Sequence, residues 1–424
     1  MNTGKLNTKQ IAIIAMCFLL AMIAFVTNMA APFGTIWGYK YEWAGMMGNM
    51  MNFAAYLFIG IPAGKMLANY GYKKTALMAM GVGIIGLVIQ YLSSQFGNNI
   101  SVFTYQGQAV GLNLLIYLTG AFICGFCVCM LNTVVNPMLN LLGGGGNKGN
   151  QLIQIGGTLS SLTATLTPLL VGVLVKQLNV NTSINDVTPL LFIGIGVFII
   201  SFFVILTVNI PEPQQATKTE KFYTPLKFKH CRLGVLAIFF YVGIEVGIPA
   251  ELNFYISNMG FEGSAALGGT MAAAYWLVMM GGRAIGSVIG RVSTSTQMTF
   301  VSALAILLLL VAIGLPESIS IEFKGNPIPI KCFLIIACGL STSIMWDGIF
   351  NLSVEGLGKY TAAASGLFMT MVVGGGIMPF IQHAIAQKAG AINSYWLIIA
   401  MLIYVLYYSK LGCRITDKNN NRKH

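Results

Sequence analysis

The chain has 424 residues, of which 56% are apolar and only 8% charged, with a formal net charge of +12 and a mean hydropathy of +0.76. A soluble protein of this length needs far more charge to cover its surface, so a soluble fold is excluded. The basic excess forms no aromatic-interleaved patch, so no nucleic-acid partner is expected.

Apolar runs long enough to cross a hydrocarbon layer about 30 Å thick recur along the sequence. In chain order they predict helical spans at 11–33, 44–69, 74–95, 111–135, 151–176, 188–209, 231–257, 264–290, 296–315, 329–352, 361–387 and 392–410. Lys5 and Lys9 precede the first run, and no small-residue cleavage site follows it, so it reads as an uncleaved span. Twelve crossings place both ends on one side of the bilayer.

Loop charge orients the spans. About 18 Lys and Arg fall on the side holding the termini and about 5 on the other, so both termini are expected in the cytoplasm. Lys65, Lys73 and Lys74 mark the loop after the second span, and Lys218, Lys221, Lys227, Lys229 and Arg232 mark the middle of the chain. Arg414, Lys418, Arg422 and Lys423 mark the tail.

The polar stretch from Pro211 to His230 divides the spans into two sets of six. The expected architecture is an all-α membrane protein: a six-helix bundle over 1–210, a cytoplasmic linker over 211–230, a second bundle over 231–412 and a tail over 413–424. The 49 glycines concentrate in the spans, where small residues let helix backbones approach and glycine runs let them bend.

Polar residues inside spans carry the functional information, because each costs free energy in hydrocarbon unless paired or hydrated. Glu245 and Glu251 fall in the seventh span, Arg283 in the eighth and Asp347 in the tenth. Glu245 lies mid-helix and is the leading contact for cargo or ion. Glu251, six positions on, is about 240° round the helix and cannot share its face. Arg283 is the only basic residue expected inside a span; it locks helices together, with Asp347 as a partner or as a cavity group beside Trp346. His383 is expected at an interface.

Amides form a second class: Asn28, Asn49, Asn52, Asn132, Asn136, Asn140, Gln154, Asn253 and Asn351. Asn132, Asn136 and Asn140 repeat every four residues and line one helical stripe. Such amides both give and accept hydrogen bonds, which suits a hydroxyl-rich ligand or, equally, a neighbouring helix. Tyr275, Trp276 and Trp346 offer faces for a sugar ring or for packing.

Cys124, Cys127 and Cys129 group in one span without hard ligands nearby and read as buried thiols, so no metal is expected. No span holds a nucleophile with a base or a His/Asp/Glu cluster, so an enzyme is not expected.

Several segments together resemble the fucose:proton symporter family of the major facilitator superfamily. They are Asn132-Thr133-Val134-Val135-Asn136-Pro137, Leu141-Leu142-Gly143 with Gln154, Tyr241-Val242-Gly243 with Glu245, and Gly282-Arg283. The run from Phe350 to Thr361, with Ser365-Gly366 and Gly374-Gly375-Gly376, carries the closest likeness. The resemblance implies a monomeric transporter of the bacterial inner membrane. Its cargo would be a monosaccharide such as fucose, glucose, galactose or an N-acetylhexosamine, carried with a cation by alternating access.

The departures bear on mechanism. The family's fourth-span acid falls on Asn132, no carboxylate stands near Asn28, Gly157 replaces an amide, and Ala68 takes the usual aspartate position of the loop after span two. Three mechanisms remain open: a proton carried by Glu245 or Asp347, a sodium ion held by amide and carbonyl oxygens, or uncoupled facilitation. Coupling through Glu245 heads them. Another small polar solute, a nucleoside or a polyol, is the alternative cargo.

Overall fold

The computed structural model describes residues 8–45, 47–174, 183–212, 222–261, 264–289, 292–323 and 325–415. Lys5, Lys218, Lys221, Gly290, Lys418, Arg422 and Lys423, with linker residues 213–217, lie outside them. The helices of the first half are α1 (Thr8–Lys40), α2 (Met47–Gln95), α3 (Leu112–Gly143), α4 (Gly146–Leu174) and α5 (Thr188–Thr207). A hairpin of β1 (Ser101–Tyr105) and β2 (Gln108–Gly111) precedes α3. The second half has α6 (Lys229–Ser257), α7 (Ser264–Val288), α8 (Thr294–Gly314), a hairpin of β3 (Ser320–Phe323) and β4 (Asn326–Pro329), α9 (Ile330–Thr342) and α10 (Met345–Val354). It ends with α11 (Thr361–Thr370), α12 (Gly374–Ala389) and α13 (Ala391–Tyr407).

Among the described residues, nine helical segments are long and apolar enough to cross a membrane. One of them, α2, holds two of the expected spans in 49 residues. With α4 and α7, of 29 and 25 residues, the crossing-length segments reach the expected twelve. The helices show why these sequences suit lipid. In α1, Ala12, Ala15, Met16, Leu19, Met22 and Ile23 are buried at helical spacing, while Ile14 and Phe18 on other faces are exposed and equally apolar.

The boundaries differ from the sequence expectation in three places. Residues 44–69 and 74–95 are not parted by a loop: a single non-helical residue, Gly71, joins them at φ 81°, a conformation that a Cβ disfavours. The tenth span is interrupted after Thr342, and the eleventh by a tight turn at Met371–Val373. Both hairpins fall where the sequence reading expected loops.

The described residues form two compact units. The first takes in those of 1–142, 156–218 and 365–370; the second takes in those of 143–155, 219–364 and 371–424.

In the first unit α2 packs on α5 and α1. The turn at Gly71 is fixed by Glu212, whose carboxylate accepts from the backbone N–H of Tyr72 (2.8 Å) and Lys73 (3.0 Å). Lys73 Nζ in turn donates to the carbonyls of Leu206 (2.8 Å) and Val208 (2.9 Å) at the end of α5. A carboxylate thus caps orphan N–H groups and an ammonium caps orphan carbonyls. At the hairpin end, Tyr41 Oη donates to Ala109 O at 3.1 Å and accepts from Gly111 N at 3.0 Å, tying α1 to β2.

In the second unit α6 is central, packed against α7, α10, α12 and α13. The first residues of α4 belong to this unit. Asn147 Oδ1 accepts from the N–H and hydroxyl of Thr294 at 3.1 and 3.2 Å, capping α8, and Gln151 Nε2 donates to Ser287 O at 2.7 Å near the end of α7.

Candidate functional site

The polar groups of the second unit converge on the interruption between α9 and α10. Breaking the helix there exposes the carbonyls of Thr342 and Ser343 inside the unit, where each must find a donor. Tyr241 Oη of α6 donates to Thr342 O at 3.1 Å, and Arg283 Nε of α7 donates to Ser343 O at 3.2 Å. Tyr275 Oη and Thr342 Oγ1 lie 2.8 Å apart. The close approach depends on Gly282: a Cβ there would collide with Ser343 Oγ and lie 2.8 Å from Leu340 O.

The same guanidinium forms an ion pair. Arg283 Nη2 stands 3.3 Å from Glu245 Oε1, and both side chains are about 15% exposed. The sequence reading offered Asp347 as Arg283's partner; the ion pair forms with Glu245 instead. Asp347 lies in the first turn of α10, 3% exposed, within electrostatic reach of both Arg283 and Glu245. Trp346 beside it tilts against Tyr241, ring centroids 6.3 Å apart.

The amide stripe of the first unit sits on α3. Asn132 Nδ2 donates to Tyr56 Oη of α2 at 3.0 Å, and Asn136 Nδ2 donates back to the Asn132 carbonyl at 2.9 Å. Asn136 is 2% exposed, whereas Asn132 and Asn140 keep partial exposure. Asn28 of α1 donates to Ala24 O at 2.8 Å within its own helix.

The remaining predicted residues are spread through the fold. Gln154, buried on α4, lies against Gly286 of α7. Asn351 donates to Thr294 Oγ1 at 3.2 Å and joins α10 to α8. Asn253 accepts from Ser257 Oγ at 3.2 Å and lies against Gly268. Trp276 is 41% exposed, edge-on to Tyr275.

A separate cavity of about 590 Å³ opens at the hairpin end of the second unit, bordered by Glu251, Phe254, Tyr255, Glu317 and His383. Glu251, read as a bordering acid, is 4% exposed with its Oε2 3.1 Å from His383 Nδ1. Arg283 is also not the only basic residue within a span. Lys331, in the first turn of α9, is 4% exposed with its Nζ 3.9 Å from Glu317, because its long stem lets the ammonium reach an acid beyond the helix end.

Sequence reasoning missed Tyr56 and the acceptors Thr342 and Ser343 at the helix interruption. The run Ser341-Thr342-Ser343 inside an apolar span was the available signal.

The sequence profile described as Major Facilitator Superfamily matches residues 11–379. The chain belongs to the major facilitator superfamily. Within that superfamily of membrane transporters it is 26% identical over 371 residues to a glucose/galactose transporter of Brucella abortus, covering 85% of this chain and 84% of that one. It is 21% identical over 392 residues to the L-fucose-proton symporter of Escherichia coli, covering 86% and 83%. A crystal structure of the E. coli fucose:proton symporter superposes with a TM-score of 0.79 at 18% identity, over 95% of this chain and 98% of that one. The twelve-helix fold expected from the sequence is borne out. So is the likeness to the fucose:proton symporter family, at the identity of a divergent member.

Proposed function

We propose that this major facilitator superfamily protein is a secondary transporter of a small neutral sugar, working by alternating access with a co-transported cation. The observation that carries the reading is the charge state of the interior. Arg283, the guanidinium deep in the second unit, is already matched by Glu245, and among the described residues there no free positive charge is offered to an anionic cargo.

The contacts this reading assigns to a cargo are neutral and bifunctional: in the first unit Asn132 and Asn136 beside Tyr56, in the second the aromatic ring of Trp346. Amides and hydroxyls match the alternating donors and acceptors of a sugar, and a ring covers its apolar face. Relatives at 26% and 21% identity are named for glucose and galactose and for L-fucose, which supports a monosaccharide. Glu245, Arg283 and Asp347 form the coupling group in this reading. Gln154, Asn253, Asn351, Asn28 and Trp276 act through packing and orientation within their own units.

The protein works as a monomer in a bacterial inner membrane with both termini in the cytoplasm. Residues 1–210 and 231–412 serve as the two bundles that move about the cargo. Purified protein in proteoliposomes tests this: labelled glucose, galactose, fucose or N-acetylglucosamine should accumulate when a pH or sodium gradient is imposed. Uptake of none of them under any gradient sinks the proposal.

A further inference from the structure

The group at the helix interruption holds two carboxylates and one guanidinium. Glu245 and Asp347 both lie within electrostatic reach of Arg283, so the fully ionised group carries one uncompensated negative charge. An unmatched charge inside a low-dielectric unit is costly, and the cost disappears when one acid accepts a proton. The geometry distinguishes the two acids. Glu245 Oε1 holds Arg283 Nη2 at 3.3 Å, and the same guanidinium is anchored by Nε to Ser343 O at 3.2 Å. Asp347 is 3% exposed, and among the described residues its Oδ2 has no hydrogen-bond partner.

We propose that Asp347 is the carboxylate that takes up and releases a co-transported proton, while Glu245 stays ionised as the fixed partner of Arg283. This rests on reading the chain as a coupled sugar carrier. Asp347's place in the first turn of α10 lets the partial positive charge of the helix start support its ionised form, while burial supports the neutral one.

Among the described residues, the surroundings add no second cation. α6 presents Tyr241 and Glu245, α7 presents Tyr275 and Arg283, and α9 presents Thr342 and Ser343. α8 approaches α10 at Gly348 and Asn351 through the neutral Met298 and Thr294. A proton needs one carboxylate lone pair; a sodium ion needs a shell of oxygens and would sit beside a guanidinium. The Asp347 O–H forms as hydronium on one side of the membrane gives up its proton and becomes water, and it breaks as the proton passes to a water on the other side.

The test separates coupling from transport. In proteoliposomes, Asp347→Asn should lose pH-driven accumulation, falling to the equilibrium level, while sugar counterflow without a gradient continues. Accumulation by Asp347→Asn overturns the proposal. So does accumulation by the unsubstituted protein driven by sodium at equal pH.

If wild-type protein shows no counterflow of any sugar, the transport reading has failed instead. Infrared difference spectroscopy on a pH change then still decides the assignment. A protonated-carboxyl band that shifts in Asp347→Glu and stays put in Glu245→Asp supports it; a band that moves only in Glu245→Asp overturns it.

Discussion

Glu251 and His383 meet 3.1 Å apart across α6 and α12, joining two residues 132 positions apart beside the hairpin-end cavity. Glu251 is almost wholly buried, while the His383 side chain is 37% exposed and stacks on Phe254 with ring centroids 4.6 Å apart. His383→Ala leaves a buried acceptor unmatched and is expected to cost about 1–3 kcal/mol. His383→Gln, able to donate from nearly the same place, should recover part of it. Thermal unfolding in detergent gives the ranking; Ala and Gln variants as stable as wild type would show that the contact holds nothing together.

The Arg283–Glu245 pair should behave as a unit. Removing either partner alone leaves the other charge buried and is expected to destabilise by about 3–5 kcal/mol, whereas removing both costs clearly less than the sum. A double-mutant cycle on the melting transition measures the coupling. Additive losses would mean that the two side chains act independently.

Glu212 is predicted to hold the turn at Gly71 in the first unit. Its carboxylate accepts two backbone N–H groups at Tyr72 and Lys73, so Glu212→Ala is expected to cost about 1 kcal/mol, in the range of a lost helix cap. Glu212→Gln should fall between the two. Limited proteolysis near residue 71 should quicken in the Ala variant; an unchanged cleavage rate would remove the cap from the account. This turn carries Ala68 where the superfamily's loop has an aspartate, so its fixing falls to an acid from beyond α5.

For cargo recognition, Asn132→Ala and Tyr56→Phe each remove one side of the 3.0 Å hydrogen bond at the amide stripe. If the stripe meets the sugar, each should raise the half-saturating concentration roughly five- to tenfold, the equivalent of about one neutral hydrogen bond. Initial rates of counterflow across a sugar series read this directly. Unchanged saturation with lowered melting temperature would make the pair a helix–helix contact only.

Much of this molecule was legible before any coordinates. The four-residue spacing of Asn132, Asn136 and Asn140 placed them on one stripe of α3, because helical periodicity is a property of the local chain. The mid-helix position of Glu245 and the isolation of Arg283 marked both as residues needing partners. The interruption of the tenth span was not legible, because no glycine or proline stands at Ser343 or Ile344. It is sustained by side chains of other helices: Tyr241 and Arg283 supply the donors that the freed carbonyls need.

The sequence by itself determined that the chain lives in a membrane and how often it crosses, since hydrocarbon thickness and backbone hydrogen bonding set the length and polarity of every span. Only the tertiary structure decided which buried charges meet. Glu245 and Arg283 are 38 residues apart, and their contact follows from how α6, α7 and the break after α9 pack around Gly282. Pairing between helices depends on rotation and approach in three dimensions, which the order of residues along one helix does not specify.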